Sequence, residues 1–233
     1  MTFDEETGGD AARGRARTAY ASADMRIRRE RILDAVRALI GARGQANFTM
    51  RDLARESGVA ISTLYEVHGG KEALVAAALC DHYAERLKTL APPAGDDAVA
   101  DHIHHQIAMI EATFDFRHQS IAAILLYFSA TPKLMIRDRL RAISNTHNAA
   151  LLARIAAAGD LRGWADIATI AYQMTQANFA LLHDWAIGRM SDPDLRAHGP
   201  LAQLVLLASV SSGAAALSVE RLIADYRIAA APV

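Results

Sequence analysis

The chain has 233 residues, 52% of them hydrophobic and 22% charged, enough for one sizeable core or two modest ones without disulfide support. Its 25 Lys and Arg nearly balance 26 Asp and Glu, leaving a formal net charge of −1, which excludes a uniformly basic coat protein and an acidic disordered tail. The single cysteine, Cys80, excludes an intrachain disulfide framework and a cysteine-rich zinc site, and fits a reducing cytoplasm.

Residues 1–22 are rich in Gly, Asp, Arg and Ala with little periodicity, and read as a flexible arm. Asp4, Glu5, Glu6 and Asp10 make its first part acidic, and no apolar stretch follows, so a secretory signal is not expected. Residues 13–71 then carry eleven Arg and Lys71 against six acidic groups. A basic N-terminal third on an otherwise mildly acidic chain is the footprint of a polyanion partner; a solvated Arg-rich face is the plainer reading of the same charges. Arg13, Arg15, Arg17, Arg26, Arg28 and Arg29 could follow a nucleic-acid backbone or enter a minor groove; a disordered tail with no defined contact is the alternative, and the favoured one for Arg13 to Arg17.

From Met25 the pattern turns helical. Ile32, Leu33, Val36, Leu39 and Ile40 fall on one face, and Gly41 and Gly44 mark the end. A short helix follows from Thr49, which has capping-box spacing to Asp52, and Ser57-Gly58 stops it. A second short helix covers Val59 to Tyr65; His68-Gly69-Gly70 breaks it, and Lys71 to about Leu90 is a long helix ended by Ala91-Pro92-Pro93. After Asp96-Asp97, helices are expected over about 98–117, about 119–129, from Thr131-Pro132 to near Gly159, from Trp164 to Ile187, and from Pro200 to Tyr226, with Ser191–Asp194 as a connector. Nothing alternates at period two, so the fold class is all-α. The domains are the arm (1–22), an N-terminal unit with its linking helix (23–90) and a larger helical unit (91–233).

Residues 48–65 pair two short helices about a Gly58 turn, with Leu53, Ala54, Val59 and Leu64 as apolar anchors. That is helix-turn-helix spacing. Ala54 lets the helices approach, Gly58 permits a positive φ, and Ile61, Ser62 and Thr63 project outward at a helix N-terminus that suits a major groove. An ordinary αα-corner is the alternative for this segment taken alone.

Residues 28–80 resemble the DNA-binding domain of the TetR (tetracycline repressor) family of bacterial transcription regulators. The resemblance is carried by Arg31-Ile-Leu-Asp-Ala35, Thr49-Met-Arg-Asp-Leu-Ala54, Ser57-Gly-Val59, Thr63-Leu-Tyr65 and Lys71-Glu-Ala-Leu74, in this order and at these separations. It extends more weakly to Trp185-Ala-Ile-Gly-Arg189 and the final helices. It implies that Thr49 caps its helix and contacts phosphate, that Tyr65 and Lys71 meet phosphates, that Ser62 and Thr63 face the groove, and that Arg51 and Arg55 supplement the backbone charge. Phosphate contacts position a protein on DNA, and only groove-facing side chains read bases. The chain departs from the family pattern at Ala60, where a Ser or Thr is usual, at Ile61, where a basic or polar group is common, at His68, where an aromatic is usual, and at the loose Gly69-Gly70. Ile61 has two readings, contact with a thymine methyl or core burial.

Residues 96–233 hold no phosphate loop and no nucleophile motif. His102, His104 and His105 cluster, but paired Glu-x-x-His motifs are missing, so no metal and no cofactor are expected. Met109, Phe114, Tyr127, Tyr172 and Phe179 belong to an apolar, aromatic interior in which His105, Gln173, Gln176, Asn178 and His183 are isolated polar groups. Such a set suits an effector cavity, which the resemblance also implies; a solvent-facing or dimer-seam placement is the alternative. The run Ala197–Val219 has no charged residue but is diluted by Gly, Pro, Gln and Ser, so it reads as a buried interface helix and not as a membrane span.

The function expected is thus a non-enzymatic, cytoplasmic, homodimeric regulator that binds a double-stranded operator and is released by a small apolar or amphipathic effector. The rivals are an all-α carrier or enzyme with a structural αα-corner, and a helical interaction protein without DNA affinity.

Overall fold

The computed structural model describes residues 7–44, 47–90, 95–129 and 136–229, with side chains described from residue 24 onward except at 67, 68 and 227–229. Among the described residues there are ten helices: α1 Thr7–Arg43, α2 Met50–Ser57, α3 Ile61–His68, α4 Lys71–Thr89, α5 Ala98–Asp115, α6 Arg117–Phe128, α7 Ile136–Ala157, α8 Ile167–Ala186, α9 Asp192–Val210 and α10 Gly213–Ala229. The only pairing of strand type among them is one isolated bridge between Leu161 and Ser211. The packing divides the chain into unit 1, Met1–Ala78, and unit 2, Leu79–Val233, the boundary falling inside α4.

In unit 1, α1 runs back through most of the segment read as an arm; the side chains of Arg13, Arg15 and Arg17 lie outside those described. Ile32, Leu33, Val36, Leu39 and Ile40 are buried together, as their spacing on one helical face requires. The helix ends at Gly44, whose N–H donates to the Ile40 carbonyl.

Unit 2 packs α7 on α8, α8 on α9, and α5 and α10 on α9. Val99, Ile103, Leu152, Ile155, Met174, Leu204 and Leu207 form one buried cluster there. Asp97 caps α5 by accepting from Val99 N and Ala100 N, as the acidic pair before that helix suggests. The expected Ala91-Pro92-Pro93 stop and Thr131-Pro132 cap lie outside the described residues.

Three boundaries in unit 2 differ from the sequence reading. The α8 helix begins at Ile167, capped by Asp166, and not at Trp164. Ser191–Asp194 is no mere connector: Ser191 and Asp194 form a capping box that starts α9 eight residues before Pro200. The expected single helix from Pro200 to Tyr226 is two helices, broken at Ser211-Ser212. There, Ser212 N donates to the Asp160 carbonyl, Arg162 N to the Val210 carbonyl, and Ala215 N to Asp160 Oδ2. Backbone groups that a continuous helix would pair internally are thus satisfied by the 160–162 segment. Gly213 makes the turn possible: its φ is +53°, and a Cβ there would lie 2.1 Å from Asp160 Oδ1. Gly213→Ala is therefore expected to lower the stability of unit 2 by about 2 kcal/mol, read from urea unfolding followed by tryptophan fluorescence, since both tryptophans, Trp164 and Trp185, lie in unit 2. Asp160→Ala added to it should recover part of the loss; an unchanged midpoint for Gly213→Ala would show the break to be soft.

Candidate nucleic-acid interface and effector cavity

In unit 1 the turn between α2 and α3 is built as its residues dictate. Thr49 caps α2 with a full capping box: its Oγ1 accepts from Asp52 N at 3.2 Å while Asp52 Oδ2 accepts from Thr49 N at 2.9 Å and Thr49 Oγ1 at 2.7 Å. Those hydrogen bonds from Thr49, joined by the neighbouring Arg55, hold the Asp52 carboxyl at about 2, well below the usual range. Gly58 closes α2 with φ +65°, and Val59 is buried in the angle beyond it. The turn thus occupies 58–60, and α3 starts at Ile61, two residues later than the sequence reading places it. Ala60, at the cap position, makes no side-chain cap, so the first N–H groups of α3 remain open to an external acceptor.

The outward surface of α3 is specific. Leu64 is fully buried, while Ile61 is 38% and Tyr65 52% exposed. Ser62 is exposed and Thr63 half-buried. The exposure of Ile61 decides against core burial as its role. Glu66, also exposed, is the one formally charged residue of α3. Arg51 is exposed, whereas Arg55 reaches Asp52 at 2.6 Å. Lys71 stands at the N-terminus of α4 with its Nζ 4.4 Å from the centre of the Phe48 ring, which orients the amine. Arg26, Arg28 and Arg31 are exposed on α1. Thr49, Arg51, Ile61, Ser62, Thr63, Tyr65 and Lys71 are therefore gathered along the α2–α3 hairpin and the adjoining start of α4. The side chain of His68 lies outside those described.

The residues picked as effector contacts are more scattered in unit 2. Met109 lines an interior cavity. Tyr127 stacks flat on Phe179, ring centres 4.1 Å apart, and donates its hydroxyl to Gln176 Oε1 at 2.8 Å. Phe114 instead sits between Trp185 and the Arg196 guanidinium, and Tyr172 is 37% exposed. His105 shares a hydrogen-bonding distance of 3.0 Å from Nδ1 to the Leu90 carbonyl and packs 4.3 Å from the His147 ring.

The cavity itself, about 40 Å³, lies between α4, α5, α7 and α8. It is lined by Tyr83 and Leu87, by Gln106, Met109, Ile110 and Thr113, by Ser144, His147 and Asn148, and by Thr175, Asn178 and Leu182. Sequence reasoning missed Gln106, Ser144, His147, Asn148 and Thr175. Their signal was register: Ser144 and Asn148 continue the four-residue spacing of buried Leu140 and Leu152 on α7, so they are polar residues on an apolar face. Tyr83 and Ser144 hydrogen-bond at 2.8 Å, and Asn148 Nδ2 donates to Thr175 Oγ1 at 3.0 Å.

Behind the cavity, His102, His105 and His147 form a stack of imidazoles. His102 is buried with Gln203 as its polar neighbour, yet both ring nitrogens and Gln203 Oε1 lack a properly directed partner, as does His105 Nε2. Burial, and then the neighbouring imidazoles, push His102 down to about 3; burial and His105 push His147 to about 4. The trio is neutral at pH 7. No group of three or more His, Cys, Asp or Glu among the described residues is arranged to hold a metal ion.

A second, more open cleft of about 550 Å³ lies at the starts of α5 and α10 and the end of α7. Three of its four charged lining residues are already committed, Asp97 to Ser218 and Arg221, Arg154 to Asp101, and Asp160 to the start of α10; the fourth is Asp96. No helix among the described residues is long and apolar enough to cross a membrane.

The profile of a family described as bacterial regulatory proteins, tetR family, matches residues 32–78, the segment that holds the hairpin. Solved structures extend the likeness over most of the chain. A Rhodococcus sp. protein classed as a TetR-family transcriptional regulator is 25% identical over 77% of this chain and 97% of its own, with a TM-score of 0.62. A TetR-family regulator from Pectobacterium atrosepticum is 23% identical, covering 81% and 96%, with a TM-score of 0.63. SmeT, the repressor of the Stenotrophomonas maltophilia multidrug efflux pump SmeDEF, is 20% identical, covering 80% and 92%, with a TM-score of 0.61. No curated protein matches the sequence.

Proposed function

Because the chain belongs to the TetR family of bacterial regulatory proteins, DNA-binding transcription regulators and not enzymes, we propose that it is a cytoplasmic homodimeric repressor that leaves its operator when a small molecule enters unit 2. The observation that carries the DNA-binding half is the α2–α3 hairpin, with Ile61, Ser62 and Tyr65 turned outward and uncapped N–H groups at the start of α3. In this reading Ile61, Ser62 and Thr63 read base edges, while Thr49, Arg51, Tyr65 and Lys71 fix the position on the phosphates. The other half rests on α4, which starts at Lys71 in unit 1 and carries the cavity residues Tyr83 and Leu87 in unit 2. Release then needs an effector with higher affinity for the DNA-incompetent arrangement of the heads than for the competent one.

Selection of bound fragments from a genomic DNA pool tests the reading directly; recovery of no enriched fragment leaves the carrier and interaction-protein rivals. On a selected fragment, two substitutions separate by charge. Lys71→Met removes one cation from each head and is expected to flatten the dependence of log K on log salt by about 0.9 per head. Tyr65→Phe removes a neutral donor, so it should weaken binding about tenfold per head and leave that slope alone. Unchanged affinity in both variants would refute these roles.

A further inference from the structure

The chemistry of the unit 2 cavity points to the class of molecule it takes, given the reading that unit 2 receives an effector. None of the twelve lining residues is Asp, Glu, Lys or Arg, and eight carry a neutral polar group. Some of these groups satisfy one another, as Tyr83 does Ser144 and Asn148 does Thr175. Gln106, His147 and Asn178 do not: none of the three has a hydrogen bond to another described residue, although each faces the cavity. Behind His147 lie His105 Nε2 and both nitrogens of His102, buried and unpartnered. Buried polar atoms without partners are costly and rare in folded proteins. On the cavity wall itself, the unpaired groups of Gln106, His147 and Asn178 are donors and acceptors that a ligand can complete, while the buried nitrogens of His102 and His105 stand behind them.

Charge selects within that set. An organic cation would find no carboxylate on the wall, and a carboxylate would find no Lys or Arg. His147 cannot supply the missing cation cheaply, because burial holds it neutral far below pH 7. A charged ligand would therefore be desolvated without a counter-charge. A purely apolar ligand would cover Gln106 and Asn178 and leave their amides unpaired. We infer that the ligand of unit 2 is an uncharged molecule bearing two or more hydroxyl, carbonyl or amide groups, held by Gln106, His147 and Asn178. This narrows the apolar or amphipathic effector expected from the sequence to its uncharged, hydrogen-bonding side. The present volume, about 40 Å³, is well below the roughly 150 Å³ of an apolar cavity that takes up one benzene. Such a ligand must part the walls, and so it binds an arrangement of the cavity helices other than this one, which is the differential affinity that release requires.

Three probes of one skeleton test the class: 4-hydroxybenzyl alcohol (neutral), 4-hydroxybenzylamine (a cation at pH 7) and 4-hydroxybenzoate (an anion). Each is titrated into the full-length protein, with the melting temperature followed by tryptophan fluorescence. The neutral probe is expected to give a saturable rise, with at least tenfold weaker effects from the two charged ones. Asn178→Leu and Gln106→Leu, each checked for helicity by circular dichroism, should weaken the neutral probe about tenfold. A charged probe acting as strongly as the neutral one, no rise with any of the three, or a neutral-probe rise that persists in both variants would overturn the inference. Retention of a selected DNA fragment is measured in the same titrations. A neutral probe that binds without releasing the fragment upholds the ligand class and sinks the effector reading; release by the neutral probe alone upholds both.

Discussion

Acidification from pH 7 to pH 5 is expected to destabilise unit 2 by about 4 kcal/mol, with two histidines contributing most of it. In the unfolded chain His102 and His147 would titrate near the ordinary histidine value of about 6.5. Folded, burial and imidazole neighbours hold them at about 3 and about 4. The folded values lie below the unfolded ones, so between them the unfolded chain binds protons that the folded chain refuses. Stability is therefore full above about pH 6.5 and falls as the pH drops, by about 1.4 kcal/mol per pH unit for each histidine, until the folded values are reached. His105 is shifted in the same direction by burial, opposed by its Leu90 carbonyl contact. Against a total stability of about 5–15 kcal/mol for an ordinary domain, a loss of this size is large. Urea midpoints from tryptophan fluorescence at pH 7, 6 and 5 measure it, and the signal belongs to unit 2 because Trp185 is buried there. His102→Gln, which cannot charge, should remove about half of the loss. Midpoints that stay flat from pH 7 to pH 5 would mean that the imidazoles reach water in solution.

The α2–α3 hairpin was legible from sequence because its determinants are local. A capping pair, Thr49 and Asp52, a positive-φ glycine, Gly58, and a plug, Val59, fix the hairpin within eleven residues. The cavity was not legible in the same way, because it is made by convergence of four helices. Aromatic residues were poor guides: Phe114 is spent on Trp185 and Arg196, and Tyr127 on Phe179. Polar residues in core register were the better guide, Ser144 and Asn148 on α7 and Thr175 and Asn178 on α8. The break of the last long helix escaped for a related reason. Ser211-Ser212-Gly213 permits a turn, but it is Asp160, some fifty residues away, that supplies the partners making the turn preferable to a helix.

That break also moves the proposed dimer surface. The sequence reading used the whole run Ala197–Val219, but only its first part belongs to α9, which packs beside α8. On α9 beyond Ala197 the residues left outward are His198, Val205 (57% exposed), Ala208 and Ser209; on α8 they include Ala168, Tyr172 and Ala180. Between Ala197 and Val210 no residue of α9 is formally charged, and α8 has Asp184 alone. Two adjacent helices with small, uncharged outward residues suit a two-fold contact in which α8 and α9 of one protomer meet the same pair of its partner, a four-helix arrangement. Charge placed on such a surface meets its own symmetry copy, so one substitution acts twice. Ala208→Arg is expected to yield a monomer by sedimentation. It should also weaken operator binding by about 10² to 10⁴, because a lone head loses the effective concentration that the second head provides. Leu217, 68% exposed on α10, is the control: Leu217→Arg should leave both dimer and DNA binding intact. If Leu217→Arg separates the protomers while Ala208→Arg does not, the two-fold contact belongs to α10. In that case the uncharged face of α8 and α9 has some other use.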